Sequence, residues 1–153
     1  MRKVLLLVAL TTMALPLVAC GGKSDAEKAS EAAAASGNGR GTITCDGSAT
    51  TKATGLPSDF PQPDAVIYVN AKKTGPTVVV DGYSTESLEG MYIEYKDRVT
   101  EAGYQLQFSE IEKDRGDSEV AYKTKSTEGI IALRGGSACA NGNVSVHITN
   151  RPS

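Results

Sequence analysis

Hydrophobic and polar positions alternate along this chain with two distinct periods, and the change from one to the other marks its elements. Val66 to Asn70 and Thr77 to Tyr83 are short runs rich in β-branched residues, separated by the turn-forming stretch Lys72 to Pro76. That arrangement predicts a hairpin of two strands. The period then lengthens: Leu88, Met91, Tyr92, Tyr95, Val99 and Ala102 form a single stripe on an α-helix. Ser84 or Thr85 stands where an N-cap is needed, Glu86 and Glu89 suit the positive end of the helix dipole, and Gly103 suits the C′ position. Ile93 falls off the stripe and is expected to be exposed.

After the helix the two-residue period returns. Tyr104, Leu106 and Phe108 alternate with Gln105, Gln107 and Ser109, and Val120, Tyr122 and Thr124 alternate with Ala121 and Lys123. Gly129 to Leu133 is a short apolar run, and Val144, Val146 and Ile148 alternate with Ser145, His147 and Thr149. Turn signals fall at Asp114 to Asp117, Ser126 to Gly129 and Asn141-Gly142. The expected fold is α+β, in the order β-β-α-β-β-β, with one amphipathic helix packed on one face of an antiparallel sheet.

Upstream, Pro57, Pro61 and Pro63 exclude a helix interior and favour extended backbone. Phe60, one of two phenylalanines, is expected to cap the core. Residues 21–41 contain no aromatic or large aliphatic side chain. Such a stretch cannot bury enough surface to offset its ordering entropy, so it reads as a disordered tether. The ordered domain is expected over residues 42–153.

The N-terminus follows a different logic. Arg2 and Lys3 precede an apolar run from Val4 to Val18, too short to span a bilayer that demands about twenty residues. Leu17-Val18-Ala19-Cys20 closes that run, and the whole resembles the signal of bacterial lipoproteins. The resemblance implies a leader over residues 1–19, removed between Ala19 and Cys20, and a diacylglycerol in thioether linkage on Cys20. It places residues 20–41 as a lipidated tether and the protein on the extracytoplasmic face of a cell membrane or outer membrane. From Leu56 to Asn150 the chain also resembles a loose class of small exported lipoproteins, through its Pro-rich entry, its Tyr-bearing helix and Ala102-Gly103-Tyr104. That class implies no activity.

Removal of Arg2 and Lys3 turns 16 basic residues into 14 against 18 acidic ones, a net charge of −4. No basic stripe is present to bind nucleic acid or coat anionic lipid. With Cys20 lipidated, Cys45 and Cys139 remain, 94 residues apart. In an exported chain of this size the pair is expected to form one disulfide.

Candidate chemistry is sparse. His147 is the sole histidine and has neither a nucleophile motif nor a second ligand at a recognisable spacing. Glu110, Glu112, Asp114, Asp117 and Glu119 crowd one turn, but Lys113 and Arg115 interrupt them and calcium-loop order is missing. Arg115-Gly116-Asp117 resembles an integrin-recognition tripeptide and is also ordinary turn chemistry. No nucleophile elbow, zinc-protease helix, P-loop or dinucleotide fingerprint occurs. No catalytic residue, cofactor or metal site is therefore assigned.

The leading expectation is a non-catalytic envelope lipoprotein, a binding or accessory module held to the membrane through Cys20, with an envelope protein or glycan as partner. Its candidate exposed positions are Gln105, Gln107, Ser109, Ser145, His147 and Thr149. Two other readings stay open: a small envelope hydrolase or an inhibitor of one, and a surface adhesion or immune-facing protein.

Overall fold

A computed structural model of the chain describes residues 43, 45, 47–136, 139 and 142–153. The leader, Cys20 and the tether lie outside the described residues. The described residues form six strands and one helix: β1 (Val66–Thr74), β2 (Thr77–Ser84), α1 (Leu88–Glu101), β3 (Gln105–Glu112), β4 (Asp117–Lys123), β5 (Thr127–Gly135) and β6 (Val144–Pro152). All pair antiparallel in one sheet of order β1-β2-β6-β5-β4-β3. The α+β class holds, but four strands follow the helix where three were expected. The apolar run Gly129 to Leu133 lies within the full strand β5. It sits between β4 and β6 with Ile130 and Ile131 buried on opposite faces, so it lacks the alternation of a one-sided strand.

One sheet face carries the core. Val66, Tyr68, Val78, Val80, Val120, Tyr122, Ile131, Leu133, Val144, Val146 and Ile148 meet Met91, Tyr95 and Val99 of α1, all buried. The helix lies over β3, β4 and β5. Next to it, Phe60 packs edge-on against Tyr104 (centroids 6.1 Å apart) and tilts against Tyr122 at 5.4 Å, as a cap on the core should. Leu56 and Ala53 add to the same cluster. The Ala53 N–H donates to Gln62 Oε1 at 2.7 Å, closing the proline-rich lead-in on itself. Cys45 and Cys139 form the expected disulfide, which ties this lead-in to the connection before β6.

Local chemistry sets the ends of α1. Ser87 is the N-cap, its Oγ accepting from the Gly90 N–H at 3.0 Å; neither Ser84 nor Thr85 caps. Ser84 instead ends β2, where its Oγ accepts the Glu86 N–H at 3.1 Å and turns the chain out of the sheet. At the other end Gly103 takes φ 80° and lets the Tyr104 N–H reach the Val99 carbonyl at 3.0 Å. Ala102 becomes the C-cap and is exposed, so the buried stripe stops at Val99. Ile93 is exposed, as its offset requires.

Beneath the helix the Tyr68 and Tyr95 hydroxyls meet at 3.4 Å. Burial raises the Tyr68 hydroxyl to about pKa 12, despite the Tyr95 hydrogen bond that opposes it. Burial also pushes Tyr95 well above the usual phenol value, and the neighbouring Tyr68 adds to the effect.

Candidate binding face

The sheet's second face is built by the residues that alternate with the core set, and the ladder registers order them into rows. Lys123, Glu128 and Arg151 form one row. Phe108, Ala121, Ile130, Thr149, Val79 and Lys72 form the next. A third runs through Glu110, Glu119, Ala132, His147, Asp81 and Asn70, and a fourth through Glu112, Asp117, Arg134, Ser145, Tyr83 and Ile67. No helix or strand among the described residues packs on this face.

A bulge puts Phe108 here. Pairing slips between Leu106 and Phe108, so Phe108 stands opposite Ala121 while Leu106 stands opposite Tyr122. The extra residue, Gln107, inverts every later side chain of β3. Phe108 leaves the core side that alternation predicts and is 38% exposed, and Ser109 takes its place opposite Val120.

Among the residues expected to be exposed, Gln105 and Gln107 are so. Ser109 is half-buried and turned to the core face. Ser145 and Thr149 lie on the outer face but are buried. The Ser145 hydroxyl donates to the Gly136 carbonyl at 3.2 Å.

His147 is half-buried and bound. Its Nδ1 lies 2.6 Å from Asp81 Oδ1, directly across the β2–β6 pair, and both side chains are 16% exposed. Its Nε2 is buried without a hydrogen-bond partner among the described residues. The pairing fixes the ring against the sheet. No sequence motif announced it, since Asp81 and His147 are 66 residues apart and meet only through strand register.

Ion pairs edge the face. Glu128 accepts from Arg151 Nε at 2.9 Å and from Lys123 Nζ at 3.2 Å. Burial alone would raise the Glu128 carboxyl, but hydrogen bonds and charge from Arg151 and Lys123 outweigh it and hold it below the usual range. Near β3 the acidic residues line a cleft of about 220 Å³ with Phe108, Glu110, Glu112, Asp117, Glu119 and Arg134 in its wall. Arg134 donates to Asp117 Oδ2 at 3.2 Å, and Asp117 Oδ1 is buried without a hydrogen-bond partner among the described residues. Arg115 grips Glu112 at 3.0 Å and Lys113 reaches Glu89 of α1 at 2.9 Å, so the crowded turn is a paired, charged hairpin tip. Among the described residues no three His, Cys, Asp or Glu side chains converge as metal ligands, and no helix is long and apolar enough to cross a membrane.

Comparison with protein-family models, with curated proteins and with solved structures finds no match for this chain. What the chain shows of its function lies in the outer sheet face. Phe108 stands exposed and Val79 half-buried in one row of that face, with Ala121, Ile130 and Thr149 buried between them and the carboxylate-lined cleft at the Phe108 end.

Proposed function

We propose that the protein is a lipid-anchored, extracytoplasmic binding module that presents the outer sheet face to another component of the cell envelope. The observation that carries this reading is that face. One side of the sheet is covered by α1 and the lead-in, while the other presents Phe108, part of Val79 and charged side chains, with no helix or strand among the described residues packed on it. The Cys45–Cys139 disulfide fits an oxidising, extracytoplasmic setting. The Leu17 to Cys20 signature supports the anchor, and the net acidic charge favours a protein or glycan partner over nucleic acid.

Whole-cell crosslinking followed by capture of the chain tests the reading. A defined envelope component is expected with the native chain and is lost with Val79→Lys, which places a charge in the row of Phe108 and Val79 without touching the core. A native chain recovered without any crosslinked component contradicts the proposal.

One observation favours a second reading, a small hydrolase: carboxylates line a cleft at the Phe108 end of that row. Loss of glycan or peptide hydrolysis in Glu110→Gln and Glu119→Gln, with unchanged melting, is its expected signature. Hydrolysis unaltered in both variants removes it.

A further inference from the structure

The two edges of the sheet complement each other in charge, direction and length. On β1, Thr50 bridges to Tyr68 through two backbone hydrogen bonds of 2.8 Å and covers the first half of that edge. A register shift then falls between Tyr68 and Asn70. Beyond it Asn70–Thr74 is regular and wholly exposed, and it carries Lys72 and Lys73. On β3 the bulge falls between Leu106 and Phe108. Beyond it Phe108–Glu112 is regular and carries Glu110 and Glu112. Each edge thus offers a regular run of five residues, alternate ones of which turn their backbone N–H and C=O outward.

Like charges on each edge oppose pairing with its own copy, while opposite charges favour pairing of one edge with the other. The topology agrees. With every neighbour antiparallel in a six-stranded sheet, β1 and β3 run in opposite directions. A second molecule placed beside the first without inversion therefore sets its β1 antiparallel to β3, with both helices on the same side.

We propose that the protein self-associates head to tail by this route, the Asn70–Thr74 edge of one molecule adding to the Phe108–Glu112 edge of the next. Setting Lys72 opposite Glu110 places Asn70 opposite Glu112 and Thr74 opposite Phe108. The registers put all six on the outer face. Lys72 of the incoming molecule then lies at the mouth of the cleft that Glu110, Glu112 and Asp117 line, where Asp117 Oδ1 is buried and unbonded among the described residues. A pairing of five residues is small, of the transient class. Because the two edges differ, the contact does not close on itself as a two-fold dimer does, and it propagates along a membrane or around a ring.

Zero-length carbodiimide coupling on an equal mixture of unlabelled and ¹⁵N-labelled full-length chain tests this. The two edges of one molecule are separated by five strand spacings, roughly 24 Å, so a direct amide between them must join two molecules. The expected product joins Lys72 or Lys73 to Glu110 or Glu112, with mixed-label pairs as abundant as same-label pairs. In sedimentation velocity at millimolar concentration, the weight-average mass is expected to exceed the monomer. It should return to the monomer in Lys72→Glu/Lys73→Glu and rise again when Glu110→Lys/Glu112→Lys is added. A monomer throughout, with no such linkage, overturns the proposal. So does coupling of Glu110 or Glu112 to a lysine of a different protein in whole cells, which would assign the edge to a foreign strand. Either result leaves the proposed binding role of the outer face standing.

Discussion

Gly129 lies directly across the β4–β5 pair from Tyr122, and a methyl group on Gly129 would sit 2.5 Å from the Tyr122 hydroxyl oxygen. The same methyl would stand 2.0 Å from the Thr149 carbonyl oxygen, to which the Tyr122 hydroxyl donates at 3.2 Å. The absence of a side chain is what lets the tyrosine cross the strand and reach Thr149 and Asn150. Gly129→Ala is therefore expected to destabilise by about 1–3 kcal/mol. Tyr122→Phe should not rescue it, because the closer obstacle is backbone. Urea unfolding of the single and double variants checks both statements.

The disulfide closes a loop of 94 residues and holds the lead-in, with Phe60 and Leu56, against the core. Cys45→Ser is expected to cost up to about 4–5 kcal/mol in the chain-entropy account. A denaturation midpoint unaffected by reductant in the native chain contradicts it.

Tyr95 is wholly buried at the centre of the α1 stripe. Tyr95→Asp is expected to abolish cooperative melting, since it buries an unpaired charge. Tyr95→Phe removes only the hydroxyl that meets Tyr68 and should cost about 0.5–1.5 kcal/mol. Circular dichroism melts of the two variants separate loss of packing from loss of one hydrogen bond.

Much of this core was legible in the sequence. Val144, Val146 and Ile148 turn alternate side chains of β6 to the core, and Met91, Tyr95 and Val99 bury one helix face, because apolar residues recur there at the period of each element. The failures have physical causes. A bulge at Gln107 costs one unpaired residue and leaves no compositional mark, yet it sends Phe108 to the opposite face. The helix cap falls three residues after Ser84 because Ser84 is occupied with a turn, leaving Ser87 to cap. On the outer face, alternation predicted which side Ser145, His147 and Thr149 take. It could not predict their burial, which depends on the neighbours that strand register sets beside them. The Asp81–His147 pair and the cleft near β3 were invisible for the same reason: both are products of register.

Alkaline pH is expected to unfold the domain through its tyrosines. The Tyr68 hydroxyl titrates near 12 in the fold and near 10 in the unfolded chain, and Tyr95 is raised in the same direction. The folded state thus holds protons that the unfolded state has released, so stability is complete below pH 10 and declines as pH rises through about 12. Glu128 acts at the other end. Its lowered carboxyl contributes stability above the ordinary carboxylate range, lost as pH falls through the folded value. Urea midpoints measured from pH 3 to 12 check both directions. Tyr68→Phe should shrink the alkaline loss, and Glu128→Gln the acidic one.

The most direct test of the account is the chemistry of the N-terminus. Intact-mass and peptide spectra of protein recovered from bacterial membranes are predicted to show a mature chain beginning at Cys20, heavier than its sequence by a thioether-linked diacylglycerol. Cys20→Ala should leave the detergent phase while keeping its melting transition and the Cys45–Cys139 disulfide. A native chain that begins at another residue, or carries an unmodified Cys20, contradicts the lipid anchor on which the proposed function rests.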